Sequence, residues 1–472
     1  MVLTKDNQRR PARPASAQRS KDNATAMAEP PKPGLEARMT AAKLIGAVID
    51  RKTPLDGMLD ATGGNPAYLK LTDADRGLVR AILNTTLRHL PRIEAILASL
   101  VSNPLPEGAR ALHHVLVVAA AQILYLDIPD HSAVDLAVEQ ANRDPRNRRF
   151  AGLVNAVLRR LSREKEGLLA SVEQVSPMPD WFMKRLTAAY GAEEAAQIAA
   201  AQLVPAAIDL TVKSDPQGWA EKLGGHVLPT GSVRLNAFAG SIPELEGFEA
   251  GEWWVQDAAA AIPARLFGDI SGQHIADLCS APGGKTAQLA QAGARVTAVE
   301  QSKSRLKRLE SNLARLKLSA ESVEANLLDH RPDTLYDGVL LDAPCSSTGT
   351  TRRHPDVLWT KGPDDIVRLA ALQEKLLRHA LTLVKPGGKV VFCNCSLDPS
   401  EGEELIARVL ADTPEVSLLP VPASYFPGLQ AAINARGEIR TTPAMLTGDG
   451  EYPGGTDGFF AAVLQKSIET NH

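Results

Sequence analysis

The sequence predicts a multidomain chain in which an all-α bundle leads, through a small α/β segment, into a doubly wound α/β domain. Three observations predict it: helical spacing of apolar residues from 36 to about 167, a strand–turn–helix alternation from His274 onward, and a length of 472 residues, room for about three domains. The hydrophobic fraction is 44%, the charged fraction 23% and the formal net charge −3, values of an ordinary globular protein, so any polyanionic partner must be held by local patches. The first residues lack the apolar stretch of a signal peptide. The apolar run 115–121 falls far short of the ~18 residues a membrane span needs, and a cytoplasmic protein without a membrane partner is expected.

Residues 1–34 carry seven Lys or Arg against three Asp or Glu, with five prolines. They bury too little to offset ordering entropy and read as a flexible basic tail. Residues 35–167 form the bundle: Leu44, Ile45, Val48 and Ile49 share one helical face, and Phe150, Val154, Val157, Leu158 and Leu161 another. Thr72 with Asp75 and Ser132 with Asp135 read as capping boxes that start helices, and Pro129 separates two helices. Between 143 and 165 eight Lys or Arg stand against two acids, a face that either grips phosphates or is merely solvated. Residues 168–268 read as a small α/β linker domain, with a helix from Trp181 to Gln202 stopped before Pro205 and short alternating pieces after it. Over 269–472, strands are expected at 274–279, 296–299, 337–342 and 389–394, with helices at 286–292, 303–318 and 364–384. Such alternation implies right-handed crossovers and a parallel sheet, with ligands beyond the carboxyl ends of the strands.

Three motifs fall at those strand ends. Asp277-Leu-Cys-Ser-Ala-Pro-Gly-Gly-Lys285 is a tight strand-to-helix turn, followed by Glu300 at the end of the next strand. Glycines let backbone approach a ligand, and an acid at that distance accepts hydrogen bonds from both hydroxyls of a ribose, which fits a nucleoside cofactor. A dinucleotide site would prefer G-x-G-x-x-G, and a P-loop needs a glycine where Leu278-Cys279 stands. The second and third motifs are Asp342-Ala-Pro-Cys-Ser-Ser-Thr-Gly349 and Cys393-Asn-Cys-Ser396. The chain has four cysteines, and neighbouring strands would bring Cys345 and Cys395 to one sheet edge. Paired thiols there admit zinc binding with His354, burial as small hydrophobes, or nucleophilic catalysis; the last suits Cys345 and Cys395, while Cys279 and Cys393 suit burial or the pocket wall.

Together these motifs resemble the SAM-dependent RNA cytosine-5 methyltransferases of the Nol1/Nop2/Sun group. Arg352-Arg-His-Pro-Asp356, Trp359, Lys385-Pro-Gly-Gly388 and Asp457-Gly-Phe-Phe460 continue the likeness. The bundle resembles the antiterminator NusB, and the combination is similar to the Sun/Fmu/RsmB subgroup, which modifies 16S ribosomal RNA. The resemblance implies a Rossmann-like class I methyltransferase domain using S-adenosyl-L-methionine. It implies that Cys279, Ser280, Ala281, Pro282, Gly283, Gly284 and Lys285 cradle that cofactor, with Glu300 at its ribose, Asn326 near adenine and Asp342 closing the site. Cys395 matches the family nucleophile, Cys345 the cysteine that assists product release, and Asp342 a stabiliser of charge on the base. Arg352, Arg353 and His354, with Lys285, are expected to touch the RNA. Asn326, Asn394 and Lys213 depart from residues usual in the family. No metal is expected, and a monomer is. A transfer RNA substrate, or a catalytically silent RNA-binding assembly factor, are the alternatives.

Overall fold

A computed structural model of the chain describes residues 32–61, 63–101, 105–236, 238, 240–447 and 454–468. The basic tail expected over 1–34 lies outside them, save its last three residues. The amino-terminal bundle is built around Arg110–Tyr125, buried on every face from His114 to Leu124 as the central helix of such a cluster must be. Leu35–Arg51, Asp73–Arg88, Leu90–Leu100, Asp130–Arg143 and Ala151–Arg163 pack around it. Val154, Val157, Leu158 and Leu161 are the buried face of the last of these, while Arg159, Arg160 and Arg163 point outward.

Thr72 caps its helix as expected, accepting from the Asp75 amide. Ser132 caps nothing. Its helix begins two residues earlier at Asp130, because Pro129 presets the entry and supplies no amide that needs an acceptor.

Asp180–Gln202 follows, bent at Gly191, where φ is 80°. It leads into a four-stranded antiparallel sheet of order β2-β3-β1-β4, formed by β1 (Asp209–Val212), β2 (Gly225–Val227), β3 (Val233–Leu235) and β4 (Trp253–Val255). Fully buried Arg234 and Asp209 pair across β1 and β3 with N–O distances of 2.7 and 2.8 Å.

The large sheet has eight strands: β5 (His274–Leu278), β6 (Arg295–Glu300), β7 (Glu321–Glu324), β8 (Tyr336–Asp342), β9 (Val384–Asn394), β10 (Val416–Leu419), β11 (Ile439–Thr441) and β12 (Phe459–Lys466). Their order is β10-β12-β9-β8-β5-β6-β7, with β11 on β12. β5 to β9 are parallel, as expected from the alternation. The three strands after β9 are antiparallel, a departure from the all-parallel expectation: β12 runs back along β9 without a crossover helix, so no strand–helix rhythm announces it. β5 sits between β6 and β8, where the winding reverses and opens a crevice at the carboxyl ends. No described helix is long and apolar enough to cross a membrane.

Candidate active site

The crevice holds a cavity of about 310 Å³. Its floor comes from strand ends: Cys279 after β5, Glu300 closing β6, Asn326 after β7, and Asp342 closing β8. Cys345 and Cys395 enter from the loops after β8 and β9. The two sulfurs lie 3.4 Å apart, although 50 residues separate them in sequence. The cause is topological, since β8 and β9 are parallel neighbours with Asp342 opposite Cys393, so both loops leave the same sheet edge.

The two thiols are electrostatically unequal. The hydrogen bond from Cys345 holds Cys395 below the ordinary thiol range against burial, whereas that same bond and burial push Cys345 well above it. Of the two, Cys395 is thus the more readily ionised. Asp342 is held on both sides: Lys285 Nζ donates to one oxygen at 2.7 Å, and the Cys393 thiol faces the other at 3.6 Å. Burial raises Cys393, with the Asp342 charge adding to it, so it stays a protonated donor. Burial works against the Lys285 charge, but Asp342 outweighs it and the ammonium is held above its ordinary value, 5.0 Å over the Phe459 ring. Burial also pushes Cys279 up to about 12, which removes it as a nucleophile.

The residues fit S-adenosylmethionine. Glu300 is buried and ends β6; its Oε1 accepts from the Ser302 amide, while Oε2, 3.3 Å from Arg305, has no hydrogen-bond donor and is an acceptor open to a hydroxyl. Ala281, Val299 and Leu327 give the cavity an apolar wall suited to a purine, beside Asn326. Five of the expected cofactor residues, Cys279, Ala281, Glu300, Asn326 and Asp342, line the cavity. The others shape the turn: Ser280 Oγ donates to Val299 O, Pro282 O accepts from Asn312, and a Cβ on Gly283 (φ 103°) would stand 3.0 Å from Leu309. Gly283 takes a left-handed conformation where the turn presses on helix Lys303–Arg315, a demand that glycine meets. Gly284 opens the helix Gly284–Gln291, and a Cβ there would meet Gln256 only at ordinary contact, 3.5 Å.

The arginines expected at the RNA are occupied, which corrects that expectation. Arg352 is buried, donating to Gly454 O and pairing with Asp457 at 3.3 Å; Arg353 pairs with Asp257 at 2.6 Å and Asp457 at 3.0 Å. Two guanidiniums beside two buried carboxylates neutralise an interior, with Arg352 enclosed and Arg353 keeping part of its side chain at the surface. His354 is half exposed, 3.5 Å from Asp56 of the bundle, and it is not gathered with the cysteines. Among the described residues no group of three or more His, Cys, Asp or Glu forms a metal-ligand set.

Sequence reasoning missed three contributors. Glu401 is wholly buried beneath the cysteine loops and receives donors from both. Gln373 joins it from helix Pro363–Leu383. Helix Asp180–Gln202 steadies the loop after Cys395, where Arg185 pairs with Asp398 and the Tyr190 hydroxyl donates to Leu397 O. No local signal marks them, because an acid or amide at a helix start or face reads as solvated until the partner is known.

The bundle also reaches the site. Arg88 donates to Arg352 O, Trp359 Nε1 to Leu87 O, and the Leu55 amide to Asp356, all on the segment directly after the Cys345 loop.

Comparison with known proteins agrees with this arrangement. A family model described as "16S rRNA methyltransferase RsmB/F" matches residues 267–465, and one for the NusB family matches 35–163. A Sodalis glossinidius protein named "Ribosomal RNA small subunit methyltransferase B" is 34% identical over 456 residues, covering 92% of this chain and 98% of that one. A Vibrio cholerae protein of the same name is 33% identical over 451 residues, covering 92% and 98%. Among solved structures, that of PH0851 superposes with a TM-score of 0.69 at 23% identity, covering 92% of this chain and 98% of that one, a likeness of fold. A methyltransferase homolog from Pyrococcus horikoshii superposes with a TM-score of 0.51 at 27% identity, covering 63% and 97%.

Proposed function

The chain belongs to the RsmB/F family of 16S rRNA methyltransferases, and on that footing we propose that it methylates carbon 5 of a cytosine through a transient bond between Cys395 and the base. It is an S-adenosylmethionine-dependent RNA methyltransferase acting on ribosomal RNA of the small subunit. The observation that carries the proposal is the pair of unequal thiols, 3.4 Å apart, in the cavity that also holds Asp342 and Glu300. Since one chain furnishes every group in that cavity, the reading includes action as a monomer, in the cytoplasm where ribosomal RNA is modified.

S-adenosylmethionine, held against Glu300 and Asn326, supplies an electrophilic methyl group. Carbon 5 of cytosine is too poor a nucleophile to accept it unaided. The Cys395 thiolate adds to carbon 6, the 5,6 double bond breaks, and its electrons make carbon 5 an enamine carbon. Asp342, its carboxyl positioned by Lys285 and Cys393, accepts from the exocyclic amine and, once protonated, would donate to N3 and so stabilise the negative charge that builds on the ring. Addition consumes the Cys395 charge, and with it the main reason that Cys345 holds its proton so firmly. Cys345 then gives its proton to solvent, and its thiolate, or a water held on it, takes the carbon 5 proton as that carbon–hydrogen pair re-forms the 5,6 double bond and Cys395 leaves as thiolate. Reaching the base requires unstacking it, easiest in a single-stranded loop.

Two variants test this. Cys395→Ala is expected to abolish methylation of 16S RNA transcripts. Cys345→Ala is expected to accumulate a protein–RNA adduct that survives a denaturing gel, and full turnover by that variant would refute its role. Bisulfite sequencing of ribosomal and transfer RNA from cells lacking the protein separates the two substrates: loss of one 16S site is expected, and loss confined to transfer RNA would overturn the substrate assignment.

A further inference from the structure

We propose that Glu401 is a positioning residue that clamps the Cys345 and Cys395 loops to one another and thereby sets the approach of the two sulfurs. The proposal rests on the reading of those cysteines as the reacting pair. Glu401 ends the short turn Pro399–Glu401, has no exposed surface, and lies beneath both loops.

Donors from the residue after each cysteine converge on its carboxylate. Ser346 gives its amide to Oε1 at 2.9 Å and its hydroxyl to Oε2 at 2.5 Å. Ser396 gives its hydroxyl to Oε2 at 2.5 Å. Gln373 gives Nε2 to Oε1 at 2.7 Å, and donates from the same nitrogen to Pro344 O at 2.9 Å, on the other side of Cys345. The backbone joins in, because Asn394 Nδ2 donates to Glu401 O at 2.6 Å while Asn394 Oδ1 accepts the Ser396 amide at 2.9 Å. The residue after each cysteine is therefore tied to the Glu401 carboxylate, and the residue before each to its partner Gln373 or to the Glu401 backbone.

Only a carboxylate meets this demand. Four donors arrive at two oxygens, and an ionised acid offers about four acceptor positions and no competing hydrogen. A glutamine in its place keeps the length and one oxygen, while its amide must find acceptors in hydroxyls that already serve others; Ser396 Oγ, for one, accepts from the Asp398 amide at 3.0 Å. An alanine leaves four donors stranded in a dry interior and frees the loops to drift. The charge has a second effect, since it lies near Cys345 and adds to the Cys395 bond and to burial in pushing that thiol up.

The test uses the full chain and reads sulfur positions without relying on catalysis. Diamide converts two neighbouring thiols to a disulfide, taking two electrons and two protons from them as its nitrogen–nitrogen double bond is reduced to a hydrazine. The rate of Cys345–Cys395 crosslinking, followed by peptide mass spectrometry, thus reports how well the sulfurs are held together. Glu401→Ala is expected to slow crosslinking and lower kcat by ~10- to 100-fold, as small displacements of reacting groups do. S-adenosylmethionine affinity, set by Glu300 and Asn326 elsewhere on the sheet edge, should be unchanged, and Glu401→Gln, which keeps the length and one acceptor oxygen, should give both rates between those of the wild type and Glu401→Ala. The double variant S346A/S396A removes the clamp from the other side and decides the matter should Glu401→Ala fold poorly. Crosslinking at the wild-type rate in Glu401→Ala or in the double variant overturns the proposal, as does a loss of cofactor affinity in proportion to activity. A fully active Cys395→Ala enzyme would instead refute the nucleophile assignment, while the crosslinking comparison still decides whether Glu401 sets the sulfur separation.

Discussion

A thiol surrounded by carboxylates would ordinarily resist ionisation, and the site counters this with one hydrogen bond. The bond that Cys395 shares with Cys345 is the chief cause of the lowered value at Cys395, with Ser347 and Lys285 aiding against burial and the Asp342 charge. A lowered value means that the reactive form is lost only as pH falls through a midpoint beneath the ordinary thiol value of about 8.5. The rate of Cys395 alkylation by iodoacetamide should accordingly rise with pH through a midpoint below that value, and Cys345→Ala should move the midpoint upward by removing the shared hydrogen bond. A midpoint unmoved by Cys345→Ala would show that the pair does not share the charge. The cysteines, Asp342 and Glu300 were legible in the sequence, because each stands at the end of a recognisable strand. Arg352 was misread for a related reason: beside a catalytic loop, a doublet of arginines looks like a phosphate grip until the carboxylates of Asp257 and Asp457, about a hundred residues away on either side, are seen to hold it.

Among the elements, β12 is the one that the site needs and the periodicity conceals. Its first residues run antiparallel to the end of β9, pairing Phe460 with Asn394, and the glycine ahead of it packs directly on the Cys345 loop. The Gly349 amide donates to Cys395 O at 2.8 Å, and the Gly458 amide to Gly349 O at 2.9 Å, so three segments meet backbone to backbone. A Cβ on Gly349 would collide with the Gly458 carbonyl, which is backbone and cannot swing aside. Gly349→Ala should destabilise the protein by about 1–3 kcal/mol, the ordinary penalty of overpacking, and depress kcat with it. Gly152→Ala serves as the control, since that glycine faces open space within helix Ala151–Arg163 and alanine there should raise stability by ~0.5–1 kcal/mol. Chemical denaturation of the two variants measures both, and equal effects would show that the close approach at Gly349 is not constraining.

Over the whole molecule, the bundle and the catalytic sheet are joined through the segment that follows the Cys345 loop. Trp359 packs on the core of the bundle and donates to Leu87 O at 2.9 Å, while Lys52 donates to Trp359 O at 2.7 Å. Trp359→Ala should cost about 3–5 kcal/mol at that junction and resolve the thermal unfolding of bundle and sheet into separate transitions in calorimetry, with cofactor binding retained. A single transition at the wild-type temperature would mean that the two parts are coupled elsewhere. Helix faces, the strand–turn–helix rhythm and the motifs at strand ends could all be read from the chain, because each is a matter of spacing along a few neighbouring residues. The sulfur separation, the internal partners of Arg352 and Arg353, the antiparallel edge and the clamp at Glu401 emerged only with the folded molecule. They depend on segments tens to hundreds of residues apart being buried against one another, and burial, which fixes both the partner of a charge and the proton on a thiol, has no local signature.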